Sequence, residues 1–419
     1  MAQEDKILGA ELERVLPDVQ TLFERDCTYY AWVDKGTDVE VISGRDMRIP
    51  LELRPGGYYG YFNPDGGGLG RGDGPTYDKA LINSTHHKFG VEWTKKAEWA
   101  SDSTRKSVVN YFRELIAKAM PEFRRNVDAQ CMGAGDGTLG TISAVSTNTP
   151  TGFDTLTLAS DGFRAKLPRF GQYINIYNAA LTTNRTVGNE QKIVFYDLAN
   201  NQIRIPTGVA GIIATDRLVA SGLSSTPPVG LLGVQYHHNA SSTGTWLGFD
   251  RSTTPEIRAN RVAAGGAFAL PFARLAINKI GDRVGIDSNF DIMAWMHPAQ
   301  AQAYEELAML VSTIFKEAKE EGVNLYFNDN MQMAGAPVKK SFLWDRTRID
   351  FCVKQFWGRA ELNPVGFYEV GGKKFFEVRD ALGGVATSQL FYIVASFNLF
   401  HKNPAGASFI DTLSIPSGY

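Results

Sequence analysis

Three cysteines in 419 residues, at positions 27, 131 and 352, are too few and too scattered to frame a disulfide scaffold or a metal cluster. They read as reduced thiols packed like small hydrophobes. Histidine is sparse as well, with six residues, and no His-x-x-x-His, Cys-x-x-Cys or acidic calcium loop occurs. A surplus of one charge is also missing. The 43 Lys and Arg nearly cancel the 45 Asp and Glu, so nothing argues for sequence-reading contacts with nucleic acid, and any polyanion contact must be local. No apolar run reaches the roughly 18 residues that a membrane span needs, and the charged opening, Met1 to Gln20, has no signal-peptide core. The expectation is a chain made and assembled in a cytoplasm, with no membrane contact.

Catalytic signatures are equally thin. The glycine run from Gly66 to Gly74 lacks the Gly-Lys-Ser/Thr that a phosphate loop needs, and it precedes no clear helix. Arg71-Gly72-Asp73 matches an adhesion tripeptide, which chance alone produces often. His86-His87 and His237-His238, read as strand residues, point to opposite faces and make no local chelate. His297 precedes Pro298 at a strand end, but no Gly-x-Ser-x-Gly or other nucleophile motif accompanies it, so it reads as structural. Glu305/Glu306 and Glu320/Glu321 sit near Lys316 and Lys319 as solvated helix faces. No enzyme activity, cofactor or metal is expected.

What is present is organisation. A length of 419 residues allows two or three cores, and an apolar fraction of 43% with 21% charge is that of folded protein throughout. Ile7 to Arg25 carries a helical apolar stripe interrupted by Pro17. From Asp38 to Trp99, strands near Val39–Val41, Ile49–Leu53 and Phe89–Trp93 flank a glycine- and tyrosine-rich stretch. That pattern describes a projecting β-arm, since a long loop of this kind is functional or ordered by a partner. Ser101 to Met132 is the strongest helix, with a kink expected at Pro121 and a stop at Gly133 and Gly135. Behind it, Gly137 to Gly222 is an all-β module in which Tyr173–Tyr177 alternates with period two. There Lys192–Leu198 and Gln202–Pro206 flank the turn Ala199-Asn200-Asn201. Thr226-Pro227-Pro228 forms a stiff joint, followed by a stretch of strand and loop character. Leu270–Val284 and Pro298–Glu321 read as helices around a buried strand, Phe290–Met296. The final part, including "RIDFCVKQFW" and "LFYIVASFNLFHK", returns to strands.

This order of parts resembles the tailed-phage major capsid protein, with the Hong-Kong-ninety-seven-type fold. The string "GTWLGFDRSTTPEIRANRV", Gly244 to Val262, is similar to the passage leading into the capsid body. "GDGTLGTISAVS" followed by "FGQYINIY" is similar to the β-insertion of such coat proteins. The resemblance implies an α+β fold with an N-terminal arm at 1–37, an extended loop at 38–100 and a spine helix at 101–132. It further implies a β-rich insertion domain at 133–222, a peripheral-domain connection at 223–269 and an axial domain at 270–345. Peripheral return strands and a final axial strand would fill 346–419. The implied function is a structural coat protein that self-assembles as hexamers and pentamers into an icosahedral head around double-stranded DNA, held by non-specific contact. Implied partners are portal and scaffolding proteins and a cement or decoration protein. No scaffolding-like segment precedes the body, which implies a separate scaffold or a very short internal one. The expected location is the virion, after assembly in the host bacterial cytoplasm. Tyr58, Tyr59, Tyr61 and Phe62 are the expected aromatic anchors at a subunit boundary, with Arg71 and Asp73 as charge partners. Two other readings stand beside this one: a bacterial nanocompartment (encapsulin-like) shell, and a carbohydrate-binding or hydrolytic protein with an appended β-module.

Overall fold

The computed structural model describes residues 28–35, 40–41, 46–54, 56–57, 59–61, 72–94, 120–148, 152–159, 168–187, 189–197, 199–223, 225–285, 291–315, 332–379 and 385–417. The strand Ile349–Val353 reads IDFCV and is buried at every position, as a strand covered on both faces must be. It is central in a six-stranded mixed sheet. The order is Asn260–Gly266, Ser408–Leu413, Ile349–Val353, Ile292–Met296, Ala336–Lys340 and Gln332–Met333. Because successive side chains point to opposite faces, Ile349, Phe351 and Val353 join one core while Cys352 joins another. Trp295 and its neighbours Ala294 and Met296 divide in the same way. These two strands are therefore the common wall of two hydrophobic cores.

On one side of the wall lie the helices Leu270–Val284 and Pro298–Phe315. The first buries Ala273, Ala276 and Ile280 against the sheet, the three- and four-residue spacing of one helical face. Pro271 opens it. Gly285 closes it at φ 69°, donating its N–H to the Gly281 carbonyl at 2.8 Å, a left-handed ending that favours glycine. The expected bounds of this helix hold to the residue. The expected strand starts two residues later, at Ile292, and residues 316–321 of the second expected helix lie outside the described residues.

On the other side lies a sheet built on Val385–His401, a 17-residue strand that spans roughly 55 Å at about 3.3 Å per residue. Thr85–Thr94 pairs along one of its edges, and Trp357–Phe367 and Phe376–Arg379 pair along the other. The arm differs here from the sequence reading. Asp46–Arg54 pairs with Thr76–Asn83, not with the strand containing Phe89 to Trp93, which belongs to the body sheet. The alternation in that last segment was legible, but its partner lies some 300 residues away in sequence. A helix over 120–131 covers this sheet, with Phe123 against Phe89. Pro121 lies in the first turn of the described part of this helix, while residues 95–119, which a kink there would turn away, lie outside the described residues, as does the expected helix from Ile7 to Arg25.

The β-module is a closed barrel. Its sheet order begins at Gln191–Lys192 and ends at Phe195–Asp197, and these two short strands are the ends of one stretch. The sheet therefore returns to its own start. Ile193 N–H reaches the Gln172 carbonyl at 2.9 Å on one side, while Val194 N–H reaches the Arg204 carbonyl at 2.9 Å on the other. Ile142, Leu156, Leu158, Ile174, Ile176, Ile193, Ile203, Ile205 and Leu218 fill the interior. Closure removes the sheet edges that would otherwise invite pairing between chains. The expected hairpin turn is present, with the Asp197 carboxylate accepting from the Ala199 and Asn200 amides and Asn201 at φ 51°.

The barrel leaves and rejoins the body through two chain segments lying side by side. Gly230 N–H donates to the Gly135 carbonyl at 2.7 Å. A Cβ on Gly230 would stand 2.9 Å from the Gly137 nitrogen. Only glycine permits so close a crossing. Beyond it, the stretch expected as strand and loop holds a short helix, Val234–His237. At four residues it is too short for a periodicity argument to detect.

Glycine is also required at position 358, where a Cβ would overlap the fully buried ring of Phe400. Gly358→Ala should lower unfolding free energy by about 1–3 kcal/mol through overpacking. Gly266→Ala, with nothing within 4 Å of its Cβ, should stay within about 0.5 kcal/mol. Equilibrium denaturation of the two variants measures the difference.

Candidate inter-subunit surface and the buried junction behind it

The buried junction of the body centres on Asp350. Its carboxylate is fully buried, yet it accepts from four directions. His238 Nδ1 donates at 3.0 Å, Trp344 Nε1 at 3.1 Å, and Arg348 through Nε at 2.9 Å and Nη2 at 2.7 Å. Burial pushes the Asp350 carboxyl up, but the Arg348 guanidinium and His238 outweigh it and hold it below the usual range. Arg348 also donates to the His238 carbonyl at 2.9 Å and lies over the Phe409 ring at 3.9 Å.

Next to this carboxylate, Tyr29 is docked in a cage of indoles. Its ring centroid lies 5.0 Å from Trp295, 5.5 Å from Trp32, 5.7 Å from Trp357 and 5.8 Å from Trp344. Asp128, on the helix over 120–131, accepts from the Tyr29 amide at 2.9 Å and the Tyr30 amide at 3.3 Å. It thereby satisfies the exposed amides at the start of the helix Thr28–Trp32. Tyr30 donates to Glu361 at 2.8 Å, and the Arg359 guanidinium lies over its ring at 4.0 Å. Burial raises the Tyr29 phenol and the Cys352 thiol well above their ordinary values, so both stay neutral. Cys131 and Cys352 are buried and are joined in no disulfide among the described residues, and Cys27 lies outside them.

The arm is anchored by one face and open on the other. Met47, Ile49, Leu51, Ala80 and Ile82 pack on Trp246, Leu247, Ile257, Ala360 and Phe400. Arg54 bridges to Glu256 at 3.2 Å, and Leu81 N–H reaches the Leu247 carbonyl at 3.4 Å. The hairpin Thr245–Trp246/Phe249–Asp250 turns through Leu247 and Gly248, both at positive φ, and so delivers Trp246 and Leu247 beneath the arm. The opposite face is exposed, with Tyr77 at 66% and Leu81 at 41%. Towards the tip, Tyr59 and Tyr61 are 84% and 94% exposed and stack edge to face at 5.7 Å. Asp73 is exposed and caps the Gly74 amide at 3.0 Å. Tyr58, Phe62 and Arg71 lie outside the described residues, so of the six expected anchors the structure places Tyr59, Tyr61 and Asp73 on one tip.

The histidines divide differently from the sequence reading. His86 and His87 do face opposite ways: His86 bonds Ser396 at 2.8 Å, and His87 is half-buried, its imidazole pushed down to about 4 by loss of hydration. His237 ends the short helix and His238 caps it, both fully buried, and they converge with His401 around Trp357. No local signal joins position 401 to 237. His297 is buried and its Nδ1 accepts the Ala299 amide at 3.0 Å, a structural cap at the start of Pro298–Phe315. Among the described residues no group of three or more His, Cys, Asp or Glu could hold a metal ion, and no helix is long and apolar enough to cross a membrane.

These parts define an α+β fold: two sheets sharing a core, an anchored β-arm, a helix along the second sheet and an inserted β-barrel. A solved structure has the same fold. The chain aligns with one from the cyanophage A-1(L) capsid asymmetric unit over 91% of its length and 90% of that chain, at a TM-score of 0.51 and 12% identity. A chain of the native GTA particle capsid aligns over 93% and 91% at 11% identity, with a TM-score of 0.43. One from Mycobacterium phage Ogopogo aligns over 92% and 91% at 8%, also with a TM-score of 0.43. No protein-family profile and no curated protein sequence matches the chain. The fold is thus the phage-capsid fold that the order of parts implied.

Removing one member of a buried ion pair leaves the other uncompensated. Asp350→Ala should therefore destabilise the chain by about 3–5 kcal/mol, whereas breaking the exposed Arg54–Glu256 pair should have little effect. Urea unfolding of both variants against the parent chain checks the contrast.

Proposed function

We propose that this chain is the major capsid protein of a tailed phage, a non-enzymatic coat subunit that self-assembles into an icosahedral head. The observation that carries the reading is the whole-chain match in fold to the cyanophage A-1(L) capsid chain. The geometry of the arm supports it. A hairpin fixed to its own body on one face and presenting Tyr59, Tyr61, Tyr77 and Leu81 on the other has unsatisfied aromatic area, and a neighbouring subunit is its natural cover. In this reading residues 1–37 are the N-arm, 38–100 the extended loop and 101–132 the spine helix. Residues 133–222 are the insertion domain, 270–345 the axial domain, and 223–269 with 346–419 the peripheral connection and return. Many modest contacts, summed over hexamers and pentamers, close a lattice without trapping wrong assemblies. Packaged DNA is held without sequence reading, and portal, scaffolding and cement proteins are the further partners. Assembly takes place in the host cytoplasm.

Co-expression with the cognate scaffold should give closed shells by electron microscopy. A chain that stays monomeric under assembly conditions contradicts the proposal. The double variant Tyr59→Ala/Tyr61→Ala, and separately a deletion of Gly66–Gly74, should leave the far-ultraviolet spectrum of the free subunit unchanged and reduce the yield of shells at least tenfold. Normal shells from both would remove the arm from the interface.

A further inference from the structure

Three of the six histidines meet inside the protein where the two sheets join. His237 and His238 end the short helix after the barrel, and His401 ends the long strand. The His401 ring lies 5.8 Å from His238 and 6.4 Å from His237, and Trp357 touches all three, at 5.3, 5.5 and 4.8 Å. None of the three is more than 1% exposed.

The hydrogen bonds assign each ring a neutral form. Trp246 Nε1 donates to His237 Nδ1 at 3.0 Å, so His237 carries its proton on Nε2 and gives it to the Leu399 carbonyl at 3.2 Å. That ring has no vacant lone pair, and a second proton would confront the Trp246 N–H. His238 donates from Nδ1 to Asp350, leaving Nε2 as an acceptor. His401 Nδ1 accepts the Asn403 amide at 3.2 Å, leaving its proton on Nε2. Both Nε2 atoms are buried without a hydrogen-bond partner among the described residues. Among the described residues, the charges around the cluster offer an imidazolium no surplus of negative charge. From the central sheet and the turn before it come Asp350 and Arg348, already paired with each other. From the loop after the helix comes Arg251, donating to the Tyr236 and Thr245 carbonyls. Strands Trp357–Phe367 and Val385–His401 present Trp357 and the Leu399 carbonyl, while Lys402 beyond them is exposed.

We propose that His237, His238 and His401 form an acid-operated latch, which holds the two sheets together while all three rings are neutral and opens with proton uptake when the surroundings acidify. Burial depresses the basicity of each ring, that of His237 to about 3, and His401 is lowered further by its two neighbours. Once exposed, each ring regains an ordinary value of about 6.5. The open state therefore binds more protons than the closed one at every pH between these limits. The stabilisation is complete above about pH 6.5 and is lost as pH falls below it. With three protons taken up together, the open population rises about a thousandfold per pH unit over the steepest range. The barrel contains no histidine and is the internal reference.

The test is an acid titration of the full-length chain from pH 7 to 3.5, following tryptophan fluorescence, proton uptake and hydrogen exchange. Opening should take up close to three protons. Exchange should begin in 234–238, 349–357 and 398–403 while the barrel strands stay protected. In the double variant His238→Asn/His401→Asn a side-chain amide replaces each Nδ1, its N–H for the bond to Asp350 and its oxygen for the bond from Asn403, but neither amide can titrate. Carboxylates that protonate below pH 4 are common to both chains. The variant's opening midpoint should fall by at least one pH unit and its uptake to about one proton. An unchanged midpoint and uptake would overturn the proposal. If the variant does not fold at neutral pH, the parent chain decides alone: one proton or fewer, or exchange that starts in the barrel, overturns the latch.

Discussion

One buried carboxylate organises this chain. Asp350 sits on the strand that two cores share, and the ligands that make its burial tolerable come from separate places: His238 after the barrel, Trp344 and Arg348 before the strand. An ionised group without these donors would cost several kcal/mol, so the chain adopts this arrangement of helix, turn and sheet or none. The same strand offers Cys352 to Tyr29, at 3.9 Å from the phenol oxygen. The docking of Thr28–Trp32 therefore depends on the same wall.

Around that wall the molecule separates rigid parts from presented ones. The barrel closes on itself, hides its apolar residues and joins the body through a glycine crossing that admits no side chain at Gly230. It adds mass to the molecule without adding a free sheet edge. The arm does the reverse: one face is fastened on Trp246 and Phe400, while Tyr59, Tyr61, Tyr77 and Leu81 are exposed. The chain thus combines a body that is closed and tightly packed with a limited apolar surface left open to a partner.

Much of this was legible residue by residue. Leu270–Val284 carried its apolar spacing, its opening proline and its closing glycine, and it is the helix those signals describe. Tyr173–Tyr177 and the turn at Ala199 to Asn201 were equally plain. The failures share a cause. Phe89 to Trp93 was recognisable as a strand, but pairing is not written in a strand's own residues, and its partner is Val385–His401. His237 and His238 were read as strand residues with diverging side chains because a four-residue helix has no period to detect.

The sequence by itself determined the balance of charge, the class of most elements, the insertion of an all-β module and the aromatic tip of the arm. Each of these is a property of neighbouring residues, carried by periodicity, turn chemistry or composition. Only the tertiary structure decided that the module is a closed barrel, that Asp350 and Tyr29 occupy a common centre, and that His401 meets His237 and His238. Those facts depend on which distant segments share a core, and burial, unlike periodicity, is a property of the whole chain.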